Sequence, residues 1–242
     1  MKKILFIALV SLSIACKQTP KKKTITSEAP APQKEWIDLF DGVTFKGWHQ
    51  FNSTEMSTAW IIEEGAMVFD PAKKEKGSRH DIVTDQEFTN FELSMEWKIA
   101  EVGNSGIFWG VKEGENYKTP YQTGPEIQVL DNERHPDSFN NPKFHQAGAL
   151  YDMVQPSQDV CKPAGEWNHV FISIDYNANQ GSVKLNDVRI VSFPLSGPGW
   201  DELVANSKFH DWMDFAKFKT GKIGLQDHGD KVSYRNIKIR EL

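Results

Sequence analysis

The chain predicts an all-β protein: a two-sheet antiparallel jelly-roll sandwich. Two observations carry this. Short runs of alternating apolar and polar residues recur from residue 91 to residue 239, and Gly, Asn, Asp and Pro punctuate them at roughly regular spacing. Few segments keep a helical period. Strands in such succession pack as two sheets with apolar inner faces and solvated outer faces.

The elements follow in order. FELSMEWKI (91–99) sets Phe91, Leu93, Met95, Trp97 and Ile99 on one face and Glu92, Ser94, Glu96 and Lys98 on the other. GIFWGV (106–111), EIQVLD (126–131) and NHVFISIDY (168–176) are the next strands. GSVKLNDVRIVSF (181–193) is a hairpin turning at Asn-Asp, and KIGLQD (222–227) and VSYRNIKI (232–239) close the series. WDELVANSKF (200–209) is the best helix candidate, and a short one.

Ahead of the strands the chain opens MKKILFIALVSLSIAC. Two lysines precede a largely apolar run of eleven residues, Ile4 to Ile14, too short to span a bilayer as a helix. A basic start, a short apolar stretch and a small residue before the cut make residues 1–15 a signal peptide. The cysteine after Ser-Ile-Ala resembles the lipidation box of bacterial lipoproteins, although Ser13 replaces the commoner branched apolar residue; ordinary secretion is the alternative. Lipidation of Cys16 anchors the protein to a membrane and leaves Cys161 without a disulfide partner, a bystander thiol. Residues 16–34, rich in Pro, Lys, Thr and Ser, form a flexible tether. The Lys-rich stretch after Cys16 favours the periplasmic face.

The full chain carries 28 basic and 33 acidic residues. Residues 35–242 retain 21 basic and 32 acidic side chains, a formal charge of −11. So acidic a domain is a poor nucleic-acid binder. Its 208 residues are enough for one sizeable core.

Two strands have an outer face unlike ordinary surface. In EIQVLD, Ile127 and Val129 point one way, Glu126 and Gln128 the other. In GKIGLQDHG, Gln226 and His228 share a face with Gly224. Same-face neighbours stand roughly 7 Å apart and adjacent strands about 4.8 Å. If the two strands are neighbours or near neighbours, their four polar side chains form a patch about the size of one pyranose ring. Amide and carboxylate groups offer paired donors and acceptors to vicinal hydroxyls, and Glu126 or His228 is suited to general acid–base work. In GNSGIFWG (103–110), alternation places Trp109 in the core and leaves Phe108 and Gly110 on the other face.

The polar loop 131–153 carries His135, Asp137 and His145, which match no standard metal-ligand motif. It is expected to be a lid over the patch. No cofactor is expected, with a divalent metal left open. Asp131 and Asp227 end similar strands and suit turns that bind backbone amides, and Arg235 suits an ion pair with a strand carboxylate.

The blocks WIDLFDGVTFKGW, GNSGIFWG, TGPEIQVLDN, AGALYDM, GEWNHV and GLQDHGDKVSYRNIKI resemble the secreted 3-keto-disaccharide hydrolase family, once a domain of unknown function. The resemblance runs from about Glu35 to the carboxyl terminus. It implies a concanavalin A-like jelly roll and cleavage of glycosides whose glucose ring is a ketone at carbon 3. It also implies a small carbohydrate substrate and, as functional neighbour, an oxidoreductase that makes the keto-sugar. On this resemblance the catalytic pair is Glu126 and His228. Gln128, Gln226, Asn104 and Tyr151 bind substrate, with Phe108 and Asp131 as further candidates. One departure is Gly110, where many relatives place an arginine. Two other readings stand beside this one: a carbohydrate-binding module without catalysis, and an ordinary glycosidase pairing Glu126 with a second carboxylate such as Glu96.

Overall fold

The computed structural model describes residues 34–74 and 77–242. The expected signal peptide, Cys16 and all of the tether but Lys34 lie outside the described residues.

Among the described residues the strands are, in chain order, β1 (Ile37–Asp38), β2 (Trp48–Gln50), β3 (Trp60–Glu63), β4 (Ala66–Phe69), β5 (Ile82–Phe88), β6 (Phe91–Ile99) and β7 (Asn104–Val111). There follow β8 (Glu126–Leu130), β9 (Asn168–Asp175), β10 (Gln180–Leu185), β11 (Val188–Phe193), β12 (Gly221–Leu225) and β13 (Val232–Glu241), with one helix, α1 (Pro198–Ala205), before β12. They build two antiparallel sheets. The larger runs β11-β10-β9-β6-β13-β4-β3, with β1 beside the far end of β13, and the smaller runs β2-β5-β12-β7-β8. The all-β jelly-roll sandwich expected from the strand pattern is the architecture observed.

The seven alternating runs read from the sequence coincide with β6 to β13. The hairpin turns at Asn186 and Asp187, both with positive φ (49° and 68°), as a two-residue turn matched to strand twist requires. The helix begins earlier than expected. Pro198 takes its first turn, where a missing N–H costs nothing, and the helix has ended by Asn206. The expected strand 222–227 also stops short: β12 ends at Leu225, although the Gln226 N–H still donates to the Gly106 carbonyl at 3.0 Å.

Alternation puts the inner faces together. From the larger sheet come Phe69, Phe91, Met95, Trp97 and Tyr234, each no more than 1% exposed. Ile107, Trp109, Ile127, Ile223 and Leu225 come from the smaller, and all ten residues belong to one core. Trp109 stacks on Phe193 at 5.9 Å between ring centroids. A polar link crosses this core beneath β7. The buried Ser105 hydroxyl of β7 donates to the Gln226 carbonyl at 2.8 Å and lies 2.8 Å from the Tyr234 hydroxyl of β13. A serine has one proton to give, so Tyr234 is the donor in the second bond.

Ser105→Ala therefore leaves two buried groups unpaired. It is expected to lower the free energy of unfolding by about 1–3 kcal/mol in urea titrations. Adding Tyr234→Phe to that background removes one orphan, so the double variant should be no less stable than Ser105→Ala. Simple additivity of the two losses would show that no such bond links the sheets.

Candidate active site

The outer face of the smaller sheet carries the site. β7 lies between β8 and β12, so the two polar strands are near neighbours and β7 forms the floor between them. Glu126, Gln128, Asn104, Gln226, His228 and Tyr151 all line one cavity of about 360 Å³. All six had been read as site residues from the sequence. Gly106 lies opposite Gln128 in the β7–β8 register, and the Glu126 side chain lies over it. A Cβ at Gly106 would stand 2.0 Å from a Glu126 carboxylate oxygen, so only glycine leaves that carboxyl its place.

Glu126 is 7% exposed, and among the described residues none donates a hydrogen bond to its carboxyl. Burial pushes its pKa up to about 8, and the nearby Lys208 and Arg79 only partly offset this. At neutral pH it holds its proton. His228 sits just past β12 at the cavity mouth, exposed on one side. Partial burial is the larger influence and lowers its pKa below 6.5, against the opposing charge of Asp230. The imidazole is therefore neutral at pH 7. The turn that carries it is tied down at Asp227, whose carboxylate accepts from Lys74 at 2.6 Å and from the His80 and Gly229 amides at 3.0 and 2.9 Å.

The amides form the other half of the cavity. Gln128 is 1% exposed and donates to the Asn104 carbonyl oxygen at 3.2 Å. The side-chain carbonyl oxygens of Gln128 and Gln226 are buried without a partner. An unpaired buried acceptor is costly, and a ligand bearing several hydroxyl donors relieves two at once.

Tyr151 forms one wall. Its ring stacks on His145 at 4.5 Å, and His145 in turn contacts Asp152 at 3.0 Å. Burial raises the Tyr151 pKa, so the phenol is un-ionised, and it accepts a hydrogen bond from Lys208 at 3.1 Å. In the loop expected as a lid, His135 and Asp137 lie near enough to His228 to act on its charge, and the loop's last residues are built into the sheet edge. Residues 148–151 run along the free edge of β8, exchanging backbone hydrogen bonds with Gln128 and Glu126, and bring Tyr151 alongside the cavity. Among the described residues no cluster of three metal-ligating side chains is present.

Two candidates lie elsewhere. Phe108 points to the outer face as alternation requires, but it is fully buried with Phe51, Val83 and Val111 beneath Tyr117 and Tyr121. It does not line the cavity, because other aromatic side chains cover it. Asp131 is 2% exposed and accepts from the Val102 and Glu133 amides at 2.8 and 3.1 Å, so it holds a turn. Glu96 cannot partner Glu126: it belongs to β6 in the other sheet and is held by Arg235 at 2.7 Å and Asn236 at 2.8 Å.

The sequence reading missed the cavity's two cations, Arg79 and Lys208, and the aromatic side chains Tyr121, Phe209 and Trp212. Arg79 is steered by buried Asp81 at 3.2 Å and lies 5.2 Å from the Tyr121 ring. Trp212 packs edge-on against Phe209 at 5.1 Å, and Phe209 stacks on Phe215 at 4.0 Å. Arg79 and Trp212 come from irregular segments and Tyr121 from a single 3-10 turn, while Lys208 and Phe209 belong to the expected helix 200–209 but fall beyond the end of α1.

The buried carboxyl has a thermodynamic signature. An unfolded chain ionises Glu126 near pH 4.5, whereas the folded chain keeps the proton to about pH 8, so stability falls as pH rises across that window. Asp81, raised to about 6, acts in the same direction below pH 6, and His228, lowered from 6.5, acts oppositely below pH 6.5. Above pH 6.5 Glu126 is the one of the three still titrating. Wild type is expected to lose roughly 2 kcal/mol relative to Glu126→Gln between pH 6.5 and 8, at about 1.4 kcal/mol per unit. Parallel stability curves for the two proteins would mean that the carboxyl is already ionised in the fold.

The geometry can be set beside known proteins. A family model described as a 3-keto-alpha-glucoside-1,2-lyase-like domain matches residues 35–240. The chain is 34% identical over 239 residues to the 3-keto-disaccharide hydrolase of Bacteroides thetaiotaomicron (strain ATCC 29148), covering 89% of this chain and 81% of that protein. A solved structure of a candidate glycosyl hydrolase from Parabacteroides distasonis ATCC 8503 superposes with a TM-score of 0.78 at 32% identity, covering 86% of this chain and 94% of that one. A second from the same organism has a TM-score of 0.63 at 24% identity, a likeness of fold, and covers 86% of this chain and all of that one. With nearly the whole described domain matched, the chain belongs to the family of 3-keto-alpha-glucoside-1,2-lyase-like domains.

Proposed function

We propose that this domain cleaves the glycosidic bond of glycosides whose glucose unit carries a ketone at carbon 3, with His228 as base and Glu126 as acid. The proposal rests on one meeting of groups: a buried protonated carboxyl, a neutral imidazole and three amides in a single cavity. A ketone at carbon 3 acidifies the hydrogen on carbon 2. His228 takes that proton, the resulting enolate breaks the bond from carbon 1 to the leaving oxygen, and Glu126 gives its proton to that oxygen. Water then adds across the new double bond. Glu126, now ionised, takes a proton from the water as its oxygen attacks carbon 1, and the imidazolium returns a proton to carbon 2, so both groups end as they began. The route needs no oxocarbenium ion and no paired carboxylates.

The remaining residues have roles in the same scheme. Enolate charge on the carbon 3 oxygen calls for donors and cations, which Gln128, Gln226, Asn104 and Arg79 supply around the cavity. Lys208 and Tyr151 form a donor pair on the wall. A purely binding cavity has no use for an unpaired buried carboxyl that weakens the fold above pH 6.5. That disfavours the carbohydrate-binding module.

The first sixteen residues support export and lipid anchoring through Cys16, with the domain held at the periplasmic face. The substrate's ketone calls for an oxidoreductase acting at the sugar's carbon 3 as supplier.

The roles separate by leaving group. His228→Ala is expected to lower kcat/KM by about 10²–10⁴ on every 3-keto-glucoside. Glu126→Gln should lose about as much on a 3-keto-glucoside with an alkyl leaving group, but come within about tenfold of wild type with 4-nitrophenol, which departs without a proton. Wild-type kcat/KM should fall above pH 8 as Glu126 ionises, and fall in acid as His228 protonates. Equal losses for Glu126→Gln on both leaving groups would remove its role as acid. Cleavage of unoxidised glucosides at the same rate would remove the keto route altogether.

A further inference from the structure

A second cavity of about 630 Å³ adjoins the first, and Arg79, Tyr121 and Trp212 line both. We propose that this second cavity receives the leaving group of the glycoside, and that the group it selects is aromatic. The inference rests on the proposed keto-glycoside reaction for the identity of the whole substrate, but the cavity's chemistry is independent of it.

The two cavities differ in what their polar atoms are doing. In the first, two buried amide oxygens lack partners and await hydroxyl donors. In the second, the polar groups are largely engaged within the protein. The Tyr117 hydroxyl donates to Asp214 at 2.9 Å, and the Gln122 side-chain oxygen accepts from the Lys118 and Thr119 amides at 2.5 and 3.1 Å. Arg79 is held by Asp81 and by the Tyr121 ring. Asn116, Lys118 and Asp214 also line the space, but the larger part of its wall is apolar and carries the rings of Tyr117, Tyr121 and Trp212 and the thioether of Met213. Met213, 85% exposed, stands among them. A sugar needs hydroxyl partners, of which this wall offers few, whereas a flat aryl group needs the ring faces and polarisable sulfur that make up most of it.

The wall is also pre-formed. Tyr117 and Tyr121 rest on the buried cluster of Phe108, Phe51, Val83 and Val111. Tyr121 and Trp212 lie 5.9 Å apart, tilted at 37°. A glycoside whose sugar occupies the polar cavity reaches the aromatic one past the side chains common to both. Phe108 thus supports the substrate's second half from beneath without touching its first.

The test compares 3-keto methyl glucoside, 3-keto phenyl glucoside and a 3-keto disaccharide of two glucose units. Wild type, Tyr117→Ala and Met213→Asp are measured on each, so that leaving-group reactivity cancels within a substrate. Met213 is exposed enough for its variant to fold whatever becomes of Tyr117→Ala. Each variant is expected to lower kcat/KM on the phenyl glucoside by about tenfold more than on the methyl glucoside, through KM. Equal effects on all three substrates overturn the inference, and so does a loss confined to the disaccharide. Should wild type cleave no keto-glycoside, the proposed reaction falls, and calorimetry with phenyl β-glucoside judges the cavity. Binding weakened about tenfold in both variants upholds the aromatic cavity, and no binding to wild type overturns it.

Discussion

The pleat of the smaller sheet is the constraint from which the site follows. Successive side chains of a strand must leave on opposite faces, so each residue of the cavity floor is chained to a residue of the core. Asn104 and Gly106 face out because Ser105 and Ile107 face in, and Glu126 and Gln128 face out because Ile127 and Val129 face in. A one-residue slip of β8 against β7 would put a glutamate and a glutamine into the apolar interior. The core's need for Ile127 and Val129 thereby fixes the carboxyl and the amide to within the spacing of the sheet. The Ser105–Tyr234 contact reinforces this from below, since it joins β7 to the other sheet directly beneath the cavity.

On that fixed floor the chemistry is set by what is withheld. Among the described residues Glu126 receives no hydrogen bond, and its raised pKa comes chiefly from burial, with a smaller push from the Asp81 carboxylate. Arg79 and Lys208 are close enough to be felt but are occupied elsewhere, Arg79 by Asp81 and Lys208 by Tyr151. Had either cation paired directly with Glu126, the carboxyl would ionise at neutral pH and have no proton to give. Diverting the cations keeps positive potential in the cavity without discharging the acid.

Legibility in the sequence follows the same division. β6 to β13 span enough residues for period two to be visible, and their polar faces could be read as a site before any contact was known. β1 to β4 have only two to four residues each, and β5 interrupts its alternation with three exposed positions at 85–87, so none of these announced itself. Tyr151 was named from a resemblance of sequence blocks, and its place beside Glu126 depends on loop residues 148–151 pairing along β8. Arg79, Lys208 and Trp212 had no such aid. Each belongs to an irregular segment whose position is set by tertiary contacts such as the Phe209–Phe215 stack. Phe108 shows the opposite failure: its face was read correctly, but its cover, Tyr117 and Tyr121, comes from a loop that periodicity does not describe.

Gly110 lies on β7 beyond Phe108, outside the cavity, where two strands pass closely. Its backbone has φ of +65°, and a Cβ would stand 2.8 Å from the Phe218 carbonyl oxygen. On the adjacent strand a Cβ at Gly221 would lie 2.4 Å from the Gly110 carbonyl carbon. The two strands therefore pass too closely for any side chain at either glycine. The cations that do line the cavity are brought by loops, Arg79 ahead of β5 and Lys208 after α1. Loop cations can be held by partners of their own, as Asp81 and Tyr151 hold these. A strand arginine pointing straight from the floor would have the unpaired carboxyl of Glu126 as a natural partner, and pairing would lower the pKa on which the acid role depends. Cations carried by loops and tied to partners of their own are thus compatible with the raised pKa of Glu126.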